Sequence, residues 1–383
     1  MPDRAAPPPA WARTLARIRW PLFIALACLL PFVLTDVWVQ MLVFVALFVV
    51  LGLGLNVVVG FAGLLDLGYV AFFAAGAYTM GLLTSPGSPI DAGLNFWLIL
   101  PMGILIASGV GLLLGLPVLP LRGDYLAIVT LGFGEIIRLF LINRDDLTRG
   151  SQGLSAIPRP DLFGYRIDSF TEWFYFVVAA AVIVGFCTSR LRDSRIGRAW
   201  EAIREDEDVA AAMGVNTTKY KLLAFASGAA IGGLGGVIYA AFIGFISPAA
   251  FSLQVSIDVL AIVIIGGMGS TPGVILGSLI LIGVPRILQF RETSDFLANL
   301  GWLRDGLNGL IGAVDAVTPG SIGRLPPAET WGAQIADDTR FIIFGALLVI
   351  VMVLRPSGLW PSSRRRLEFA HDDTPAPAPV AAP

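Results

Sequence analysis

The 383-residue chain is 56% hydrophobic and 14% charged, with a net charge of -2. A soluble globular domain carries roughly 25% charged residues, so a water-exposed fold of this length is excluded, and the apolar residues gather in blocks near the ~20 residues that cross lipid. The single histidine, His371, lies in a Pro/Ala-rich tail, which leaves zinc, haem and Ser-His-Asp chemistry without a required ligand or base.

The first twenty residues form a tail whose Pro/Ala-rich start is expected to be disordered, as are residues 362–383 at the other end. Arg13, Arg17 and Arg19 precede an apolar run from Pro21 to Val37. The run exceeds the usual ~7–15 residue core of a signal peptide, and no small-x-small site follows it. It reads as an uncleaved first span. Further apolar runs lie at 41–59, 64–83, 96–119, 124–142, 173–189, 221–246, 257–269, 273–290 and 340–354. The expected fold is therefore an all-α, polytopic helical membrane protein with about ten transmembrane helices, occupying 21–361. Cys28 and Cys187 fall inside apolar runs and read as small packing residues.

Basic residues collect before the first run, at Arg122, between Arg190 and Lys221, and at Arg355 and Arg364 to Arg366. Along ten alternating spans these places share one side, whereas the loop at 84–95 has no Lys or Arg and falls opposite. The positive-inside rule then puts both termini in the cytoplasm.

Glycine occurs 43 times and punctuates the spans. Close helix packing explains most such residues. Between Gly60 and Gly68 the sequence favours a broken helix lining a path, because Asp66 stands among flexible residues between two apolar runs. Carboxylates in a span are functional candidates by default. Asp66 and Asp258, with Asn56 and Gly68, make up the candidate translocation path. Glu135 has Arg138 one turn on and reads as half of a structural ion pair. A path role for Glu135 stays open.

The loop 190–220 holds a helix-forming stretch that ends near Gly214. Its acidic Glu205, Asp206 and Glu207 precede a small apolar set, Val209, Ala210, Ala211 and Met213. Two readings remain: an interfacial linker, or a short helix that docks in a groove of a cytoplasmic partner. No GxxxxGK[ST] occurs, so this chain has no P-loop. No catalytic residue, metal site, cofactor or nucleic-acid partner is expected.

Five segments in one order, RGDYLAIVTLGFGEIIR at 122–138, GLNVVVG at 54–60, GRAWEAIREDE at 197–207, LAIVIIGGMGS at 260–270 and RPSGLWP at 355–361, are familiar. Together they resemble the LivM-type permeases of branched-chain amino acid ABC importers, across about residues 40–361. The resemblance implies a non-enzymatic transport subunit in a bacterial inner (cytoplasmic) membrane. Its implied partners are a second, H-type permease, two cytoplasmic ABC ATPase subunits and a periplasmic substrate-binding protein. It also implies that the helix ending at Gly214 is the coupling helix to an ATPase. Two features depart from the family pattern. Asp66 stands where a small or hydroxyl residue is expected, and 291–339 form an insertion in a normally short periplasmic loop. Urea or short amides, carried by sister systems, are the rival substrates. An ion-coupled secondary transporter using Asp66, Glu135 and Asp258 is the rival mechanism.

Overall fold

The computed structural model describes residues 29–284 except Val33, Arg122, Phe163 and Gly164, together with Gly345, Ala346, Val349, Val353, Arg355 and 358–360. Most of the first expected span, the end of the one at 273–290, most of the one at 340–354, the insertion 291–339, Arg364 to Arg366 and both tails lie outside the described residues.

Helix α1, Asp36–Leu55, continues as a π-helix over Asn56–Phe61. Every residue from 49 to 62 is buried. A helix apolar on all sides belongs at the centre of a bundle or within lipid, and here neighbours surround it. Helices α2 (Val70–Thr84), α3 (Phe96–Val118), α4 (Asp124–Asn143) and α5 (Phe170–Arg192) follow. The expected span at 64–83 becomes helical only at Val70, so an irregular segment, 62–69, occupies its first part. The loop helix expected between 194 and 214 is two helices, α6 (Arg195–Glu205) and α7 (Glu207–Ala212). Asp206 divides them because its backbone is extended and its carboxylate caps α7, accepting from the N–H groups of Asp208 and Val209 at 2.9 and 3.0 Å. Helix α8 runs Thr217–Ile243, α9 Leu253–Gly266 and α10 Thr271–Ser278, the last continuing as a π-helix to Gly283.

Among the described residues five helices are long and apolar enough to cross a membrane, α1 with its π extension, α3, α4, α5 and α8, and the shorter apolar ones are α2, α9 and α10. At 1.5 Å per residue the fifteen residues of α2 reach only about 22 Å, less than a ~30 Å hydrocarbon core.

Helix α8 packs along α3, α2 and α1. The contact is close because it is made by small residues: a Cβ on Gly233 would strike the Ala107 methyl, and one on Gly236 would strike the Phe73 carbonyl. Where lipid tails are as apolar as the helices, such intimate packing replaces the hydrophobic drive of water. The outer faces of α3, α4 and α5 present Leu105, Leu113, Leu116, Ile128, Ile136, Ile183 and Phe186, all exposed.

Four two-residue strands tie the loops together at one end. β1 (Leu154–Ser155) pairs antiparallel with β4 (Phe245–Ile246), and β2 (Asp161–Leu162) with β3 (Tyr165–Arg166). Ser85 Oγ donates to the Ser155 carbonyl at 2.6 Å and Trp97 Nε1 to the Asp161 carbonyl at 2.8 Å. The α6–α7 hairpin marks the opposite end of the bundle.

Candidate functional site

The hairpin end of the bundle contains two interrupted helices. In the first, α1 passes into its π-helix, and the chain then climbs through 62–69 to restart as α2. The first N–H groups of a helix have no partner within it. Here one local and two distant side chains supply acceptors to the segment and to the start of α2. Asp66 Oδ1 accepts from the Gly68 N–H at 2.8 Å, Thr130 Oγ1 of α4 from the Leu67 N–H at 3.0 Å, and Ser256 Oγ of α9 from the Val70 N–H at 3.0 Å. Asp66 is wholly buried, and its Oδ2 makes no hydrogen bond among the described residues. Gly68 lies so close to α4 that a Cβ there would strike the Thr130 carbonyl.

The second interruption separates α9 from α10 at Gly267–Ser270, with Gly267 and Gly269 at positive φ. Asn56 bridges the two interruptions: its Oδ1 accepts from the Gly269 N–H at 2.8 Å. The carbonyls of Ile265 and Gly266 accept from the N–H groups of Leu359 and Trp360 at 2.8 and 3.1 Å, so a segment near the chain terminus closes the end of α9. Ser270 caps α10 through the Gly273 N–H.

The hairpin rests directly on this region. Ser194 caps α6, whose Gly197, Trp200 and Ile203 recur at helical spacing and turn inward. Trp200 Nε1 donates to the Tyr220 carbonyl at 2.7 Å. Arg204, four residues after Trp200, donates from Nη1 to the Gly60 carbonyl at 2.8 Å. A cation on a carbonyl at a helix C-terminus is favoured by the helix dipole as well as by the bond, worth roughly 1.5–3 kcal/mol. Lys221 at the start of α8 lies 2.5 Å from Glu207 Oε1 and donates to the Leu119 carbonyl at 3.3 Å.

Within α7, Ala210 is buried and the Glu207 carboxylate meets Lys221, whereas Val209 and Met213 are 59% and 81% exposed. Glu205, Asp206, Ala211 and Gly214 are exposed as well. Of the small apolar set only Ala210 turns into the bundle, while Val209, Ala211 and Met213 are exposed. The outward surface is thus Val209, Ala211 and Met213, rimmed by the carboxylates. Gly214, at φ +88°, ends α7 with its N–H on the Ala211 carbonyl, while the Val215 N–H reaches the Ala210 carbonyl. A left-handed residue is what such a helix stop needs, and glycine adopts it without strain.

Two sequence-selected groups lie elsewhere. On α4, Arg138 Nε sits 3.0 and 2.9 Å from the two Glu135 oxygens, and its Nη2 also donates to Oε1. Both side chains are partly exposed. On α9, Asp258 Oδ1 accepts from Gln254 Nε2 at 2.8 Å. Sequence reasoning did not single out Arg204, Thr130, Ser256 or Lys221. The inward spacing of Gly197, Trp200 and Ile203 carries a signal for Arg204. Hydroxyls inside apolar runs carry none, since their own helix commonly satisfies them, as the Ala127 carbonyl does for Thr130.

Residues 37–303 match the family model described as branched-chain amino acid transport system / permease component. The "High-affinity branched-chain amino acid transport system permease protein LivM" of Salmonella typhimurium is 37% identical over 369 residues, covering 90% of this chain and 75% of that protein. Its Escherichia coli K12 namesake matches equally, and the E. coli permease protein LivH is 28% identical over 251 residues, covering 61% of this chain and 79% of LivH. No solved structure matches the chain. With its apolar helices, the match makes this a multi-pass membrane protein and a transport component. The chain belongs to the family of branched-chain amino acid transport system permease components.

Proposed function

We propose that the chain is the transmembrane permease subunit of an ATP-driven importer of leucine, isoleucine and valine in a bacterial inner membrane. Beside it work a second, H-type permease, two cytoplasmic ATPase subunits and a periplasmic substrate-binding protein. The observation that carries this reading is the 37% identity to LivM over 90% of the chain. Similarity to LivH as well as LivM supports a pair of related permeases in one system. Because the chain lacks a P-loop, ATP is hydrolysed by the partners.

In this reading ten spans fill 21–361, both termini are cytoplasmic, and the α6–α7 hairpin within 190–220 docks on an ATPase. Residues 291–339 are then periplasmic. Asn56, Asp66, Gly68 and Asp258 serve the translocation path, and the buried state of Asn56 and Asp66 corresponds to a closed one. Helix interruptions at membrane depth belong where they line such a path.

The deciding experiment is uptake of labelled leucine by proteoliposomes holding the permease pair and the ATPases, with the binding protein outside and ATP inside. Uptake is expected to need internal ATP and to survive collapse of ion gradients. Uptake that follows an imposed ion gradient without ATP identifies a secondary transporter instead. A binding protein that takes urea and ignores leucine moves the system to the amide carriers. Reporter fusions in loop 84–95 and after Arg366 are expected to report opposite sides, and one shared side rejects the topology.

Glu135 and Arg138 act as a structural pair in this reading. A single charge in lipid costs a few kcal/mol, so Glu135→Gln or Arg138→Met alone is expected to lower folded yield, and the double replacement to recover part of it. Single variants that fold normally but do not transport assign the pair to the path.

A further inference from the structure

The Gly60 carbonyl is held by a residue of the hairpin. The Arg204 stem passes against Gly63, where a Cβ would lie 2.6 Å from the Arg204 Cγ, and its head reaches the Gly60 carbonyl at 2.8 Å. Gly269 adjoins the same point: a Cβ there would sit 3.4 Å from the Gly60 oxygen and 3.8 Å from Arg204 Nη1. Asn56 then binds the Gly269 N–H, and a Cβ on Gly60 would collide with the Asn56 amide. One side chain therefore holds the end of the π-helix with its head, lies with its stem against the irregular segment after it, and comes beside the α9–α10 interruption.

We propose that Arg204 is the positioning residue through which the hairpin sets the geometry of both helix interruptions. This rests on the reading of the hairpin as the ATPase dock. A shift of α6 draws on the Gly60 carbonyl through a short charge-assisted bond, and the Asn56–Gly269 bond passes the shift to the α9–α10 interruption. The Gly60 carbonyl is suited to this because it lies in the last turn of its helix, where carbonyls have no partner within the helix and another donor can hold them without breaking a helical bond. Arg204 touches neither substrate nor nucleotide. Its task is to make hydrolysis in the partner and opening of the path one event.

The test is the number of leucine molecules moved per ATP hydrolysed, measured in the reconstituted complex with the leucine-loaded binding protein. Wild type is measured first. Arg204→Ala is expected to retain the ATPases at wild-type stoichiometry while the ratio falls about tenfold, the scale of one charge-assisted bond removed from a two-state equilibrium. Arg204→Lys, which keeps a cationic donor, is expected to regain most of it. An unchanged ratio in Arg204→Ala overturns the proposal. So does loss of the ATPases, or a lysine variant as poor as alanine, because Arg204 then acts in docking or folding. Should Arg204→Ala not fold, Arg204→Gln is compared with Arg204→Lys: a lower ratio for glutamine supports the proposal and equal ratios overturn it. A wild-type complex without ATP-dependent uptake overturns the importer reading and this inference with it, whereas a normal wild type beside a normal Arg204→Ala overturns this inference alone.

Discussion

Ala211→Trp combined with Gly214→Val is expected to leave the permease inserted and folded but stripped of its ATPases. Ala211 and Gly214 are exposed on the outward surface of the hairpin, beside Val209 and Met213, so neither change disturbs the bundle core. Tryptophan at 211 replaces a small contact with a bulky one and holds a partner groove off the α7 backbone. Valine at 214 must adopt φ +88°, where a β-branched residue carries roughly 1–3 kcal/mol of strain, and the turn into α8 is forced to move. Hot-spot contacts of an interface are worth about 2 kcal/mol or more each, so disturbing two of them weakens docking by about a thousandfold. The measurement is co-purification of the ATPases, followed by substrate-stimulated ATP hydrolysis. Ligand binding by the proposed soluble receptor is expected to be unaltered, since in that reading it works on the other side of the membrane. Normal assembly and transport in the double variant make the hairpin a linker and reject its assignment as a dock.

Lys221→Met is expected to destabilise the protein more than any change on that outward surface. The Lys221 side chain is 4% exposed and Glu207 19%, so the pair is shielded from water. Removing one member of a buried pair costs about 3–5 kcal/mol, because the other charge keeps its desolvation without its counter-charge. Replacing both members often restores much of the loss. Thermal unfolding in detergent therefore separates the cases: a large fall in Tm for Lys221→Met, and partial recovery in Lys221→Met with Glu207→Gln. Equal stabilities for wild type and the single variant deny the pair a structural role. The position matters because Lys221 also holds the Leu119 carbonyl, which ties α3 to the hairpin end.

Lipid imposes a length on every crossing element, and that is why the runs at 96–119, 124–142 and 173–189 can be read as α3, α4 and α5 from the sequence. Interrupted elements escape this rule. Residues 64–69 continue an apolar run apart from Asp66, and the backbone there does without helical partners through Asp66 itself and through the hydroxyls of Thr130 and Ser256, far away in the chain. The flexibility around Asp66 is legible in its glycines, but the bond from Asn56 to Gly269 is not, since the two are separated by 213 residues. On the hairpin, composition reveals helix and acidity, yet Asp206 is equally common as a surface residue and as a cap. The inward turn of Ala210 and Glu207 depends on α8, which no local pattern encodes.

The central position of α1 has a consequence for synthesis. Its closest neighbours include Ile231 of α8, packed on Gly54, and Ile262 of α9 and Val274 of α10, packed on Gly52. All three are made about two hundred residues later than the surfaces they cover. Ribosomes add ~5–20 residues per second, so α1 waits on the order of ten seconds or more before these three neighbours emerge. During that interval lipid tails occupy the places that later belong to protein. From Met41 to Leu55 α1 carries no polar side chain, which suits both surroundings, and the Asn56 amide oxygen gains its partner only when Gly269 arrives.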